Sequence, residues 1–202
     1  DTRVLPDTFE KAMAYMQKNP HIGLAGVKII NPDKTPQESI TYRYPGEKHT
    51  RGELPPLPGD IACVLGAGMI ARRAMIEKVG GFDEDFFLYG EDEDLCLRIR
   101  KNGGEIGYIE EAVVIHHGGQ SERLTLTEEK WRKKVRALYL FYSKHYQAET
   151  IARIKRADRL KARWRLLTLR LTMLFLIDKV TAVEKQGRYR VILEETSHKI
   201  ID

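Results

Sequence analysis

At 202 residues the chain has room for one large domain, or for a domain with an appendage, and a hydrophobic fraction of 42% suits a packed core. No apolar run reaches the roughly 18 residues that span a bilayer, and two cysteines are too few for a disulfide scaffold. The net charge of +5 is unevenly spread: residues 1–121 hold 14 Lys and Arg against 19 Asp and Glu, whereas residues 122–202 hold 20 against 10. A boundary near Glu122 is expected from that shift.

In chain order, Pro6 and Asp7 open a helix to about Lys18, expected to bury Phe9, Met13 and Met16, and Asn19-Pro20 ends it. Ile22 to Ile30 is an apolar run of strand length closed by Asn31-Pro32-Asp33. Residues 35–60 are rich in Pro, Gly, Arg and Tyr and read as a ragged hairpin or mobile loop. Ile61 to Ile70 is strand-like, followed by a short helix from Arg72 to Val79 and the Gly80-Gly81 stop. Glu105 to His116 forms a strand or strand pair that runs into His117, Gly118 and Gly119. Thr125 and Glu128 have capping-box spacing and open a helix to about His145 with Trp131, Val135, Leu138 and Tyr142 inward. A second long helix is expected from roughly Glu149 to Val183. Cys63 and Cys96 sit in apolar surroundings without metal-type spacing, which fits reduced core thiols in a cytosolic compartment.

Between the short helix and the last strand lies the stretch with chemistry in it, Gly80 to Arg100. Seven carboxylates fall between Asp83 and Asp94, interrupted by Phe86, Phe87, Leu88, Tyr89 and Gly90. The apolar run is expected to be buried and to pin the acids beside it. From Glu91 the pattern is helical, with acids in the first turn, Arg98, Arg100 and Lys101 in the last, and Gly103-Gly104 beyond, so both ends complement the helix dipole. On a 3.6-residue period Asp92 shares a stripe with Leu95, Cys96 and Ile99, while Asp94 and Arg98 form an i,i+4 pair on another face. A carboxylate held and partly desolvated in this way suits a catalytic base; the bland alternative is acids that only cap a helix.

Two motif matches lose out on context. Gly66-Ala67-Gly68-Met69-Ile70-Ala71 fits G-x-G-x-x-A, but the helix after it is too short for dinucleotide binding; small residues that admit a ligand to the backbone fit better. Asp83 to Asp94 places Phe87 where an EF-hand needs its third ligand. His116, at a strand end before glycines, stands at the rim of a sheet where neutral imidazole can complete a metal site; a satisfied structural histidine is the plain alternative.

Taken together, these pieces resemble the catalytic domain of family 2 inverting glycosyltransferases, the GT-A fold, particularly its bacterial rhamnosyltransferase-like branch. The residues that carry the likeness are Asp1-Thr2 with Val4 and Pro6, Gly66-Ala67 with Arg72-Arg73, and Gly80-Gly81-Phe82-Asp83-Glu84 with Phe86-Phe87 and Tyr89. Glu91-Asp92 with Asp94-Leu95 and Arg98 continue it, and His116 with Gly118-Gly119 and Ser121 completes it. The likeness covers about residues 1–121. It implies an α/β fold, a partial GT-A mixed sheet with flanking helices followed by a C-terminal helical extension. Residues 1–121 would be the acceptor and metal half, 122–202 a basic helical extension, and the N-terminal nucleotide-binding half would lie outside this chain. Residues 1–202 alone are therefore expected to be inactive.

The same resemblance implies roles. Asp92 matches the family's catalytic base, and Asp1 its metal-binding aspartate. His116 matches a later metal-contacting histidine, so Asp1 and His116 would hold Mg²⁺ or Mn²⁺. Glu91 and Asp94 would orient the acceptor, with Gly66 and Ala67 on the cleft floor. The expected activity is transfer of a sugar from a nucleoside-diphosphate sugar to an acceptor hydroxyl with inversion, in bacterial cell-surface polysaccharide synthesis, on a glycan or lipid-linked acceptor. The alternative is a non-catalytic binding or scaffold fragment of the same fold. Nucleic acid is not an expected partner, because no aromatic-interleaved recognition module accompanies the basic tail. From Glu149 to Val183, Ile151, Ile154, Ala157, Leu160, Trp164, Leu167, Leu171 and Leu174 recur at spacings of three or four, with Arg156, Arg159, Arg163 and Arg170 on another side. For a protein expected in the cytoplasm, that pattern predicts peripheral contact with the inner face of the plasma membrane, against the alternative that the stripe packs on the preceding helix.

Overall fold

The computed structural model describes residues 1–118, 125–172 and 179–197. The chain divides into two compact units, 1–47 with 54–123, and 48–53 with 124–202.

The first unit is built on a four-stranded mixed sheet. Its strands are β1 (Thr2–Val4), β2 (Ile22–Ile30), β5 (Met69–Ala71) and β6 (Glu105–His116), in the order β1-β6-β2-β5. The central pair, β2 and β6, runs parallel; β1 and β5 are antiparallel edges. A second, two-stranded sheet pairs β3 (Ile40–Thr41) with β4 (Cys63–Val64). Helix α1 (Thr8–Lys18) covers one face, with Ala12 and Met16 packed on Val27, Ile29, Ile109 and Val114. On the other face α2 (Arg73–Val79) and α3 (Glu91–Lys101) build a core of Leu24, Val64, Leu95, Cys96, Ile99 and Ile106. The apolar run of β2, interrupted only by Lys28, is what a strand buried on both faces requires, and β6 is apolar on either side of its exposed Glu110-Glu111 bulge.

Several local expectations are corrected. Helix α1 buries Thr8, Ala12 and Met16, leaving Phe9 68% and Met13 51% exposed. Small Ala12 at the centre of the buried stripe lets the helix lie close to the sheet, and Thr8 anchors its start by donating a 2.8 Å hydrogen bond to the Val113 carbonyl. The expected strand at 61–70 is two short strands around a turn at Leu65–Gly68. The loop of residues 35–60 is pinned where Arg100 donates to the carbonyls of Pro58 and Gly59 at 2.9 and 2.6 Å and lies over the Tyr44 ring. In β6, Ile109 pairs with Val27 but Val113 pairs with the very next β2 residue, Lys28, so residues 110–112 form a bulge. That bulge is the physical source of the strand-or-strand-pair ambiguity.

The second unit is helical: α4 (Thr127–His145), α5 (Ala148–Thr172) and α6 (Lys179–Ser197), with α6 packing on both others. Helix α4 starts at Leu126 without a side-chain cap, so the Thr125 capping box does not form. Its inner side carries Val135, Phe141 and Tyr142, all buried, and Tyr142 stacks on Tyr146. Arg132 holds Glu194 and Glu195 of α6 at 2.7 and 2.8 Å, and Arg136 holds Glu195 at 3.1 Å. The expected helix over 149–183 corresponds to α5 and the first turn of α6; residues 173–178, with Leu174 to Ile177, lie outside the described residues. So do Gly119, Ser121 and the boundary at Glu122. The apolar stripe of α5 divides between two sides: Ile151 and Ile154 are 9% and 2% exposed, Leu160, Trp164 and Leu167 58–59%. Each step of three residues falls about 60° short of a full turn, so a run of such steps winds around the helix rather than keeping to one face.

Candidate active site

The first unit contains a cleft of about 360 Å³ lined by Asp1, Leu65, Gly66, Ala67, Leu88, Tyr89, Gly90, Glu91, Asp92, Glu93 and His116. Three segments converge on it: the β1–β6 edge, the β4–β5 turn and the start of α3.

The edge is set by strand register. Thr2 pairs with His116 and the His117 amide donates to the Asp1 carbonyl at 3.0 Å, which brings Asp1 level with the end of β6. Asp1 Oδ1 lies 3.4 Å from His116 Nε2, and both side chains are mostly buried. The other ring nitrogen, Nδ1, is 3.0 Å from Gln37 Oε1, while Gln37 Nε2 donates to the His116 carbonyl. An amide oxygen facing Nδ1 assigns the proton to that nitrogen and leaves the Nε2 lone pair toward Asp1. Burial, helped by His117, holds the His116 pKa below its ordinary value, so the imidazole is neutral at neutral pH.

Two left-handed residues deliver α3 to the cleft. Tyr89 has φ 69° and Gly90, the residue before the helix, has φ 84°. A tyrosine in this conformation costs about 1–3 kcal/mol, strain of a kind concentrated at functional sites. The turn places three consecutive carboxylates, Glu91, Asp92 and Glu93, along the cleft wall. Asp92 is held at both oxygens: Oδ2 accepts from the Gly66 amide at 3.2 Å and Oδ1 from the Glu93 amide at 3.0 Å. Glu91 Oε2 is buried and makes no hydrogen bond among the described residues, and burial together with the Asp92 charge raises the Glu91 pKa. Burial, hydrogen bonding to Asp92 and the Asp92 charge push Glu93 up to about 9, so it keeps its proton at neutral pH.

Asp1, Gly66, Ala67, Glu91, Asp92 and His116 are thus brought together. Asp94 is not. It is fully buried on the other side of α3 and ion-paired to Arg98 at 2.5 Å, and Arg98 also donates to the Val79 carbonyl at 2.7 Å. That network ties α3 to the end of α2. Phe86 is buried at 7% but Phe87 is 92% exposed, so only one of the two expected wall residues forms a wall. Gly68 is small for packing rather than for a ligand: a Cβ there would lie 2.6 Å from Val27 Cγ2. Two cleft features escape sequence reading, Gln37 and Glu93. Gln37 comes from a loop with no periodic signal. Glu93 reads as one more helix-start acid, and only the packed structure separates it from its neighbours.

The family pattern described as glycosyl transferase family group 2 matches residues 1–184, and the chain belongs to that family. The mixed α/β sheet agrees with a GT-A-like domain. Among its relatives, an N-acetylglucosaminyl-diphospho-decaprenol L-rhamnosyltransferase of Mycobacterium tuberculosis is 35% identical over 86 residues, 43% of this chain and 26% of the relative. Rhamnosyltransferase WbbL of Escherichia coli is 33% identical over 76 residues, 37% and 29% of the two chains. The O-antigen biosynthesis protein RfbC of Myxococcus xanthus is 27% identical over 136 residues, 61% of this chain but 11% of the relative. The chain therefore matches less than a third of the length of each of these relatives.

Proposed function

We propose that this chain forms the acceptor side of an inverting glycosyltransferase that moves a sugar from a nucleoside-diphosphate sugar to a hydroxyl group in the synthesis of a bacterial surface polysaccharide. The observation that carries the reading is the doubly anchored Asp92 in the same cleft as the Asp1–His116 pair. With both oxygens fixed by backbone amides, Asp92 presents its remaining lone pairs to the cleft and takes the proton of the incoming hydroxyl. The acceptor oxygen then bonds to the anomeric carbon as the bond to the diphosphate oxygen breaks on the opposite side, which inverts that carbon. Glu91, whose buried oxygen has no partner among the described residues, supplies an acceptor for a second hydroxyl of the substrate. Gly66 and Ala67 keep the floor low.

A carboxylate and a neutral imidazole nitrogen suit Mg²⁺ or Mn²⁺, hard-to-borderline cations that keep water and substrate oxygens as further ligands. Among the described residues no group of three or more His, Cys, Asp or Glu gathers around a single point, so Asp1 and His116 would be the protein's share. When bound, the ion offsets charge on the departing diphosphate. The rhamnosyltransferase named above for a diphospho-decaprenol substrate supports a lipid-linked acceptor here, and with it a peripheral position at a membrane through residues 149–183. Among the described residues no helix is long and apolar enough to cross one.

The test is sugar transfer by the complete polypeptide that contains this chain, with the nucleotide-sugar donor identified by screening. Loss of transfer in Asp92→Asn with donor binding kept supports the assignment; undiminished transfer refutes it.

A further inference from the structure

Among the described residues of the helical unit, α5 carries an exposed apolar ridge. Helix α5 uses Ile151, Ile154 and Ala162, 9%, 2% and 0% exposed, to pack within the unit. Leu160, Trp164 and Leu167 fall roughly opposite, at successive spacings of four and three, and are 59%, 58% and 58% exposed. From Arg159 to Thr172 the helix has five cations, Arg159, Lys161, Arg163, Arg165 and Arg170, and no acid. Lys161, Arg163, Arg165 and Arg170 are exposed, as is Arg156 one turn earlier. The Arg165 guanidinium lies 5.2 Å from the centre of the Trp164 ring, which places a cation at the margin of the apolar ridge. The two acids on this helix lie elsewhere: Asp158 accepts a hydrogen bond from Tyr139 Oη at 2.9 Å, and Glu149 is in the first turn, paired with Arg153.

We propose that Leu160, Trp164 and Leu167, with Arg156, Arg163 and Arg170 alongside, form a docking face for an anionic lipid surface, α5 lying in the plane of the membrane. The chemistry selects the occupant. A narrow ridge with one Trp and cations around it matches the boundary between acyl chains and charged headgroups, where the apolar side chains enter and the guanidinium groups stay with phosphate. A nucleic acid would satisfy the arginines but leave Leu160 and Leu167 without a partner. The inference deepens the lipid-linked acceptor reading by naming the face, yet it rests on α5 alone and not on the cleft.

The two tryptophans make it measurable. Trp131 lies between Arg188 and Lys134, and the difference between Trp131→Phe and Trp131→Phe with Trp164→Phe isolates the Trp164 emission. Mixed with vesicles of phosphatidylcholine and phosphatidylglycerol, the Trp131→Phe polypeptide should show a blue-shifted Trp164 emission that brominated acyl chains quench. Phosphatidylcholine alone should have little effect, and about 0.5 M salt should reverse the shift. Changing Arg156, Arg163 and Arg170 to Gln should weaken binding about 10–100-fold. Leu160→Ser with Leu167→Ser should abolish quenching while circular dichroism and transfer to a water-soluble acceptor stay unchanged. Unaltered emission with anionic vesicles, or equal responses to both lipids, would overturn the proposal. A shift that follows protein concentration without vesicles would assign the ridge to a second copy of the chain instead. Asp92→Asn should bind vesicles normally, so failure of the cleft assignment and failure of this one are separately visible.

Discussion

Asp92 Oδ2 accepts the Gly66 amide proton at 3.2 Å, so the first turn of α3 is fastened to the turn between β4 and β5. Without that contact Asp92 would be one of several acids at a helix start. With it, and with the Glu93 amide on Oδ1, the carboxylate has one orientation and faces the cleft.

The first prediction concerns Asp92 itself. Asn keeps the shape and can still accept one amide bond, but it cannot take a proton. In the complete polypeptide Asp92→Asn should lower kcat by about 10²–10⁴-fold, with KM for the donor little changed. Steady-state kinetics at saturating donor check this; a fall in donor affinity alone would point to a positioning role.

Glu93 predicts a pH effect on stability. Its folded pKa of about 9 lies above the ordinary 4.5, so between those values the folded chain binds a proton that the unfolded chain has released. Stability therefore falls as pH rises through this window and levels off above about 9. Glu93→Gln removes the slope. Urea unfolding at pH 6 and pH 9 should show Glu93→Gln gaining about 4 kcal/mol on the parent chain between the two. Parallel curves would mean Glu93 is ionised throughout.

Asp94 separates stability from chemistry. It is fully buried against Arg98, and removing its charge leaves a guanidinium half-buried without its partner. Asp94→Asn should cost about 3–5 kcal/mol of stability, read as a lower unfolding midpoint. Any protein that remains folded should keep its transfer rate, the opposite of the result expected at Asp92.

How much of this was legible in the chain follows from the range of the forces. Helix α3 announces itself through local terms, acids in the first turn, bases in the last and glycines beyond, and Asp92 stands where that pattern places it. β2 is legible because burial on both faces requires a long apolar run, whereas β6 is split by the Glu110-Glu111 bulge and reads as one strand or two. Which face of α1 is buried depends instead on how closely the sheet approaches, and Ala12 decides against Phe9 and Met13. The division of the α5 stripe depends on its partners, since Ile151 and Leu160 obey the same spacing rule. Gln37 contacts His116 across 79 residues, from a segment held against β2 by its own amide on the Ile29 carbonyl, a contact its composition does not announce. Asp94 was legible as the partner of Arg98; its distance from the cleft was not, because facing inward in a sequence does not say which interior is faced.

Gln37 should matter to metal affinity without touching the metal. Its Oε1 holds His116 Nδ1 at 3.0 Å, fixing the tautomer that leaves Nε2 free to ligate. Losing such an orienting group typically costs 10–100-fold in affinity, so Gln37→Ala should weaken Mn²⁺ binding by about that factor. Electron paramagnetic resonance titration of free Mn²⁺ measures it directly. Retained affinity in Gln37→Ala together with loss in His116→Ala would show that the imidazole needs no support. Retained affinity in both would remove His116 from the site.

The two glycines of the β4–β5 turn should part company. Neither has the positive φ that forbids a side chain, so only space decides. A Cβ at Gly68 would stand 2.6 Å from Val27 Cγ2 and 3.2 Å from Val114 Cγ2, in the packed centre of the sheet where nothing gives way cheaply. Gly68→Ala should therefore destabilise the fold by about 1–3 kcal/mol. A Cβ at Gly66 meets Asp92 Cβ at 3.8 Å and Oδ2 at 3.9 Å, ordinary contact distances. Gly66→Ala should leave stability within about 0.5 kcal/mol of the parent. The added methyl nevertheless sits against the carboxylate oxygen proposed to receive the proton, so turnover should fall while unfolding does not change. Thermal unfolding and transfer rates measured on both variants decide it, and a stable, fully active Gly66→Ala would mean that the reacting hydroxyl does not approach Asp92 from this side.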